Sequence, residues 1–228
     1  MAVRRGTHYR VPTFARALGL LVLTNDEWNE APTLEVSGAI VYAEAGPGRM
    51  PIPGLPLHAG PLLRLPKEEL AEAVVELSPD QLVVVEEAVS EILGLDAVLG
   101  DPPRAPVPRP GAIDYPRWSN IYYAGEPVGT PPERKRYLVV SHDPYNHALA
   151  GGICIRTTTS ERRGGPTIPT LRDGTTRAVC VLPTFYATRS VAIRATRPAP
   201  PQLFMSDMIT VAAGLREALA LPERRPKG

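Results

Sequence analysis

The sequence predicts a mainly β protein of the α+β class, built as two small units that each close with a helix. Three observations carry this expectation. Short runs such as GLLVL, LEVSGAIVYA, RYLVVS, GGICIRTTT and RAVCVLPTF are apolar or β-branched and bounded by Gly, Pro and polar clusters, as strands are. One stretch occurs twice: residues 21–31 read LVLTNDEWNEA and residues 138–152 read LVVSHDPYNHALAGG. Asp26 and Asp143, Trp28 and Tyr145, and Asn29 and Asn146 keep one offset of 117 residues. Between the copies, residues 100–116 (GDPPRAPVPRPGAIDYP) carry six prolines, which cannot join a sheet interior and read as an extended linker. The expected division is residues 1–99, a linker at 100–116, and residues 117–228.

Each unit ends in a helical signal. In LSPDQLVVVEEAVSEILGL, Ser78 is the expected N-cap, Pro79 takes the first helical position and Gln81 completes a capping box. Leu82, Val85, Val89, Ile92 and Leu93 share one face, with Glu86, Glu87 and Glu91 elsewhere. PAPPQLFMSDMITVAAGLREALAL ends the second unit, with Gly214 a candidate interruption. Asp143 and Asn146, like Asp26 and Asn29, are expected to cap their turns through side-chain-to-backbone bonds. His142 and His147 read as surface residues of the second turn, because no other ligand stands at a metal spacing.

Composition excludes some classes. At 228 residues and 43% hydrophobic content the chain can bury a core, while 27 prolines, roughly twice the ordinary share, limit long helices. No run approaches the ~20 apolar residues of a membrane-spanning helix, and MAVRRGTHYR is not followed by an apolar signal core. Cytoplasmic residence follows as the expectation. Cys154 and Cys180 lie in apolar runs and read as buried thiols. The net charge of +1 hides a split: residues 1–103 hold 7 Lys and Arg against 15 Asp and Glu, whereas residues 104–228 hold 18 against 9. A basic half is a hint of nucleic-acid contact.

The order of motifs in the second unit resembles the MazF/PemK toxin family. RWSNIYYAGEPVG stands for its opening strand, TPPERKR for the following loop, KRYLVVSHDPYN for the central strand and turn, and GGICIRTTTS for a strand ending in hydroxyl residues. GGPTIP and TTRAVCVLPTFYATRS complete the order. The first unit resembles a degenerate copy, through VRRGTHYRV, LLVLTNDEWNEAPTLEV and GPLLRLPKEEL. The resemblance implies two SH3-like, CcdB/MazF-type small β-barrels, each with a C-terminal helix, arranged as a single-chain pseudo-dimer. It also implies a toxin of a toxin–antitoxin system, an endoribonuclease that cleaves single-stranded RNA without metal or other cofactor. An antitoxin is the implied protein partner, and the two halves are expected to pair within the chain.

Carried over residue by residue, the catalytic hydroxyl falls on Thr159, with Thr158 and Ser160 beside it and Thr157 on the same strand face. Counting back from Asp143, the family's arginine falls on Lys135, with Arg136 taking the role after a one-residue shift and Arg134 close by. Lysine keeps the charge but lacks the bidentate fork. Arg134, Arg156, Ser160, Arg162, Arg163 and Tyr122 are the expected RNA contacts, with Arg172 and Arg177 in neighbouring loops. Tyr122, Tyr123, Trp118 and Tyr186 either stack on bases or fill the barrel. In the first unit the same count puts Leu18 and Gly19 at the Arg-Pro positions and Ile40 at the threonine, with Arg16 nearby. That unit is expected to lack chemistry. The rival reading is an inactive module of the same fold that binds RNA, an antitoxin or another protein.

Overall fold

The GLLVL run is apolar at every position because both faces of its strand are buried. Leu21 and Leu23 point into one cluster of core residues, while Leu20 and Val22 point into another. In RYLVVS, Leu138 and Val140 likewise enter the first cluster and Val139 a third. The two-residue alternation therefore survives, but it separates two cores instead of core from water. In the computed structural model, which describes residues 2–32, 34–95, 115–124, 135–161, 165–187 and 202–222, these strands lie in two antiparallel sheets.

The first sheet contains β1 (Thr7–Arg10), β2 (Gly19–Val22), β3 (Glu35–Tyr42), β4 (Met50–Pro51), β5 (His58–Pro66) and β6 (Ala73–Glu76) in the order β4-β5-β3-β2-β1-β6. The second contains β7 (Ile121–Ala124), β8 (Lys135–Val139), β9 (Gly151–Thr158) and β10 (Arg177–Ala187) in the order β10-β9-β8-β7. A short helix follows the second strand of each sheet, α1 (Asp26–Glu30) and α3 (Asp143–Leu149), and a longer one ends each half, α2 (Pro79–Ile92) and α4 (Met205–Ala218). The expected mainly β class holds. The barrels are open: curled by register shifts in β3/β5 and β9/β10, neither sheet closes on itself among the described residues. Strands of both sheets and both long helices line one cluster, including Leu21, Val85 and Val89 with Leu138, Ile155, Val211 and Leu215.

The doubled motif builds the same joint in each sheet. Arg5 N–H donates to Asp26 Oδ1 at 2.8 Å, and Trp118 N–H donates to Asp143 Oδ1 at 2.8 Å. Arg4 N–H reaches the Tyr9 hydroxyl at 3.0 Å, and Arg117 N–H reaches the Tyr122 hydroxyl at 2.9 Å. Gly6 and Ser119 both carry positive φ, at 75° and 63°, and donate to Val22 and Val139 carbonyls. The aspartates are thus not the turn caps expected from the sequence. The caps are the residues before them: Asn25 accepts from Trp28 N–H and His142 Nδ1 from Tyr145 N–H. The asparagines do bond backbone: Asn29 Nδ2 donates to Thr24 O, and Asn146 Nδ2 to Ser141 O and Pro116 O.

The long helices meet the expectations in part. Ser78 and Gln81 form the capping box, and Val85, Val89 and Leu93 are buried. Glu86 departs from the expected polar face: it is 6% exposed and ion-paired to Arg5 at 2.5 Å. Gly214 does not interrupt α4; a Cβ there would stand 2.9 Å from Cys180 Sγ, so the glycine lets the helix lie close on β10. Each helix end is held by the opposite turn, with Asn25 N–H on Ala218 O and His142 N–H on Ile92 O, both at 3.0 Å. The proposed linker lies outside the described residues up to 114. At its end Tyr115 and Pro116 are buried, and Arg117 stacks on the Tyr115 ring.

Candidate functional site

Strand register decides which residues of the second sheet can act together. Arg136 on β8 stands directly opposite Thr157 on β9, so the two share one sheet face. Leu138 and Ile155 lie on that same face deeper in the core, so Arg136 and Thr157 occupy its rim. Thr157 is buried and its hydroxyl donates to Arg136 O at 3.3 Å, a sheet-fastening bond. The strand ends at Thr158, and Thr159 and Ser160 follow as exposed residues. Ser160 N–H donates to the Thr158 hydroxyl at 3.1 Å, turning the chain over while the Thr159 side chain stays open to solvent.

A loop before β10 adds a residue that the sequence reading passed over. Asp173 accepts from the Thr176 hydroxyl at 2.5 Å and from the backbone N–H groups of Thr175 and Thr176. The Thr176 hydroxyl, these N–H groups and the charge of Arg136 hold its carboxyl below the ordinary range. An ionised carboxylate therefore sits within electrostatic reach of Arg136. The signal was present in RDGTT, an Asp-Gly turn with flanking hydroxyls, but its place beside β8 depends on the bridge between Thr170 and Arg177.

Other expected contacts are placed differently. Arg156 pairs with Tyr137, which puts it on the opposite sheet face from Arg136 and Thr157. Tyr122 is 2% exposed in the cluster with Tyr137, Val139 and Cys154, and burial pushes its phenol pKa up. Its ring fills the core and is not open to a base. Tyr186 packs edge-on against Tyr137 at 5.1 Å on the same side, and Trp118 packs against the main core. Lys135 contributes backbone pairing with Ala124. Arg134, Arg162 and Arg163 lie outside the described residues. Arg172 is committed elsewhere, its guanidinium 5.1 Å from the Phe204 ring and its N–H on Asp207.

His142 is no loose surface residue: it is half-buried, caps α3, and desolvation lowers its pKa. His147 is exposed and meets the Tyr115 ring edge-on. Both cysteines are free and buried, and burial raises both thiol pKa values, so neither is a nucleophile. No group of three or more possible metal ligands gathers among the described residues.

In the first sheet the pair corresponding to Arg136 and Thr157 is Gly19 opposite Val41. Val41, not the expected Ile40, is thus the counterpart of Thr157, because the stretch from Asp26 to Val41 is one residue longer than that from Asp143 to Thr157, and the counterpart of Thr159 falls past Tyr42 on Ala43. Neither position offers a hydroxyl or a cation, and Arg16 is exposed outside the strands.

The fold and rim define a protein of two curled antiparallel sheets with capping helices, one of which presents an arginine and open hydroxyls at its edge. Among solved structures the chain is similar to MazF-type endoribonuclease toxins over about half its length. A mycobacterial endoribonuclease in complex with its cognate antitoxin matches at 20% identity, covering 48% of this chain and 99% of that one, with a TM-score of 0.39. A mycobacterial endoribonuclease alone matches at 19% identity over 48% and 96%, and a MazE–MazF complex from Deinococcus radiodurans at 15% over 47% and 99%, each with a TM-score of 0.39. No family model and no curated protein matches the chain.

Proposed function

We propose that the chain is a metal-independent endoribonuclease of single-stranded RNA, the toxin of a toxin–antitoxin system, with one competent half. The observation that carries this reading is the register of Arg136 opposite Thr157, with the open hydroxyl of Thr159 two residues further along the same rim. In the reaction the RNA 2′-hydroxyl gives up its proton as its oxygen bonds to the adjacent phosphorus, and the bond to the 5′-oxygen breaks as that oxygen takes up a proton. A cyclic phosphate and a 5′-hydroxyl result. Arg136 neutralises the charge that grows on the phosphoryl oxygens, and the Thr159 hydroxyl hydrogen-bonds to them.

The two sheets are read as two copies of one unit that pair within the chain. Their shared strand order, matched aspartate bonds and exchanged helix-end contacts support this. The first copy supplies the packing partner. The net +9 of residues 104–228 favours RNA on the second copy, and the sequence resemblance makes an antitoxin segment the protein partner and the cytoplasm the location. No helix among the described residues is long and apolar enough to cross a membrane.

Purified protein incubated with single-stranded RNA in EDTA tests the proposal. Cleavage is expected, with losses of about a hundredfold or more in Thr159→Ala and Arg136→Gln. Undiminished cleavage in both variants sinks the site. RNA left intact by the unaltered protein replaces the proposal with the inactive binding module.

A further inference from the structure

The place in the first sheet that corresponds to the hydroxyl rim is filled by different chemistry. Arg177 stands opposite Thr158 at the end of β9, and His58 stands opposite Tyr42 at the end of β3. Arg49, from the loop after β3, lies with its guanidinium carbon 3.6 Å from the centre of the Tyr42 ring. Its Nη1 donates to Glu44 O at 3.0 Å, which fixes the guanidinium plane over the ring. No carboxylate pairs with Arg49 among the described residues. Arg49, Tyr42 and His58 are each half-buried.

The opposite half closes this cluster. The Gly46–Arg49 loop rests on α3, where a Cβ at Gly48 would stand 2.6 Å from Leu149 Cδ1. From the same helix Tyr145, 7% exposed, comes close enough to Tyr42 for the two phenols to interact electrostatically. The Tyr145 hydroxyl and His58 Nδ1 are buried and have no hydrogen-bond partner among the described residues. A buried polar atom without a partner costs about 1–3 kcal/mol, so a native structure keeps such atoms where something else meets them.

We propose that Tyr42, Arg49, His58 and Tyr145 form a binding subsite for one nucleotide of an RNA strand, its base stacked on the Arg49–Tyr42 pair and its phosphate held by the guanidinium. An unpaired, fixed guanidinium selects an anion, and the half-buried phenol ring under it is the planar surface for a base, since Gly46 lies against the guanidinium's other face. The orphan hydroxyl and ring nitrogen supply the hydrogen bonds that a bare ion pair lacks. The first half thereby binds substrate where it has no residues to cleave it. The choice of RNA rests on the preceding proposal; the subsite itself rests on these four residues.

Titrating the whole protein, with its histidine rings carbon-13 labelled, with uridine 3′-monophosphate tests the subsite without any cleavage. The four histidines report separately. The His58 ring signal is expected to shift in a saturable way while the His8 signal stays fixed. Arg49→Gln is expected to weaken binding by about tenfold and Tyr145→Phe by a smaller factor. The unchanged His8 and His147 signals verify that each variant is folded. An unmoved His58 signal, a response in Arg49→Gln equal to the parent's, or equal affinity for inorganic phosphate each overturns the subsite. Intact RNA in the EDTA assay overturns only the cleavage reading and leaves this titration interpretable.

Discussion

Replacing Arg5 by alanine tests how the halves are fastened. Its guanidinium is nearly enclosed, at 13% side-chain exposure, and Glu86 beside it is at 8%. Nη2 meets Glu86 Oε1 at 2.5 Å and also donates to Leu219 O at 2.8 Å and Ala220 O at 3.1 Å, while Nε donates to Leu219 O at 3.2 Å. One side chain therefore neutralises a buried carboxylate of α2 and satisfies carbonyls just past the end of α4. Arg5→Ala leaves that carboxylate buried and unpaired, which costs about 3–5 kcal/mol. With a urea m-value of about 3 kcal/mol/M, the unfolding midpoint should fall by about 1–1.7 M. Removing both charges with Arg5→Met and Glu86→Leu should recover most of the loss, because the desolvation of two ions disappears along with their attraction. A single variant that loses less than about 1 kcal/mol, or a double variant no better than the single, would refute this assignment of the pair's role.

Three further outcomes follow from the geometry. Burial lowers the pKa of both His8 and His142, so the native protein resists the protons that the unfolded chain takes up as pH falls through 6.5. Stability should be complete above that pH and decline below it in denaturation series from pH 7.5 to 5. His142→Asn, which restores the cap that Asn25 provides in the first half, should flatten that decline. Gly214→Ala places a methyl 2.9 Å from Cys180 Sγ and 3.2 Å from Pro169 Cδ, so it should destabilise by about 1–3 kcal/mol despite alanine's higher helix propensity. Calorimetry of Gly214→Ala with and without Cys180→Ala checks this, with partial recovery expected in the double variant. Asn146→Ala strands the Ser141 and Pro116 carbonyls in the core, and a loss of at least about 2 kcal/mol is expected by chemical denaturation.

What the sequence made legible was local. The Ser78–Gln81 capping box depends on four consecutive residues, and the strands declare themselves by composition, so both are as expected. Where an outcome depended on a distant partner, the reading failed. Glu86 looks like one more solvated carboxylate on its helix until Arg5, eighty-one residues away, is brought to it. Gly214 looks like a helix breaker until β10 is laid against it, and Tyr122, which by sequence either stacks on a base or fills the barrel, is enclosed by β8 and β9. Along β3 the register runs one residue ahead of a fixed offset, because the connection from Asp26 into that strand is longer than the one from Asp143 into β9. The Tyr42–Arg49–His58 group was invisible for the same reason, since its members are unremarkable singly and meet only through the β3–β5 register.

The doubled turn and the unlike rims have one physical explanation. The turn residues Asp26 and Asp143 hold the strand entry, Asn29 and Asn146 hold the backbone before the helix, and Asn25 and His142 hold the helix end of the opposite half. Each of these groups is bonded in both halves, so changing either copy strands a partner inside the protein. Beyond Val41 and Thr157 the strands run out toward the surface, past the bonds that make up the joint. One rim can then carry open hydroxyls beside Arg136, and the other a stacked Arg49 and Tyr42, without disturbing the joint. A fold divided in this way keeps the two sheets fitted to each other while their edges carry unlike side chains.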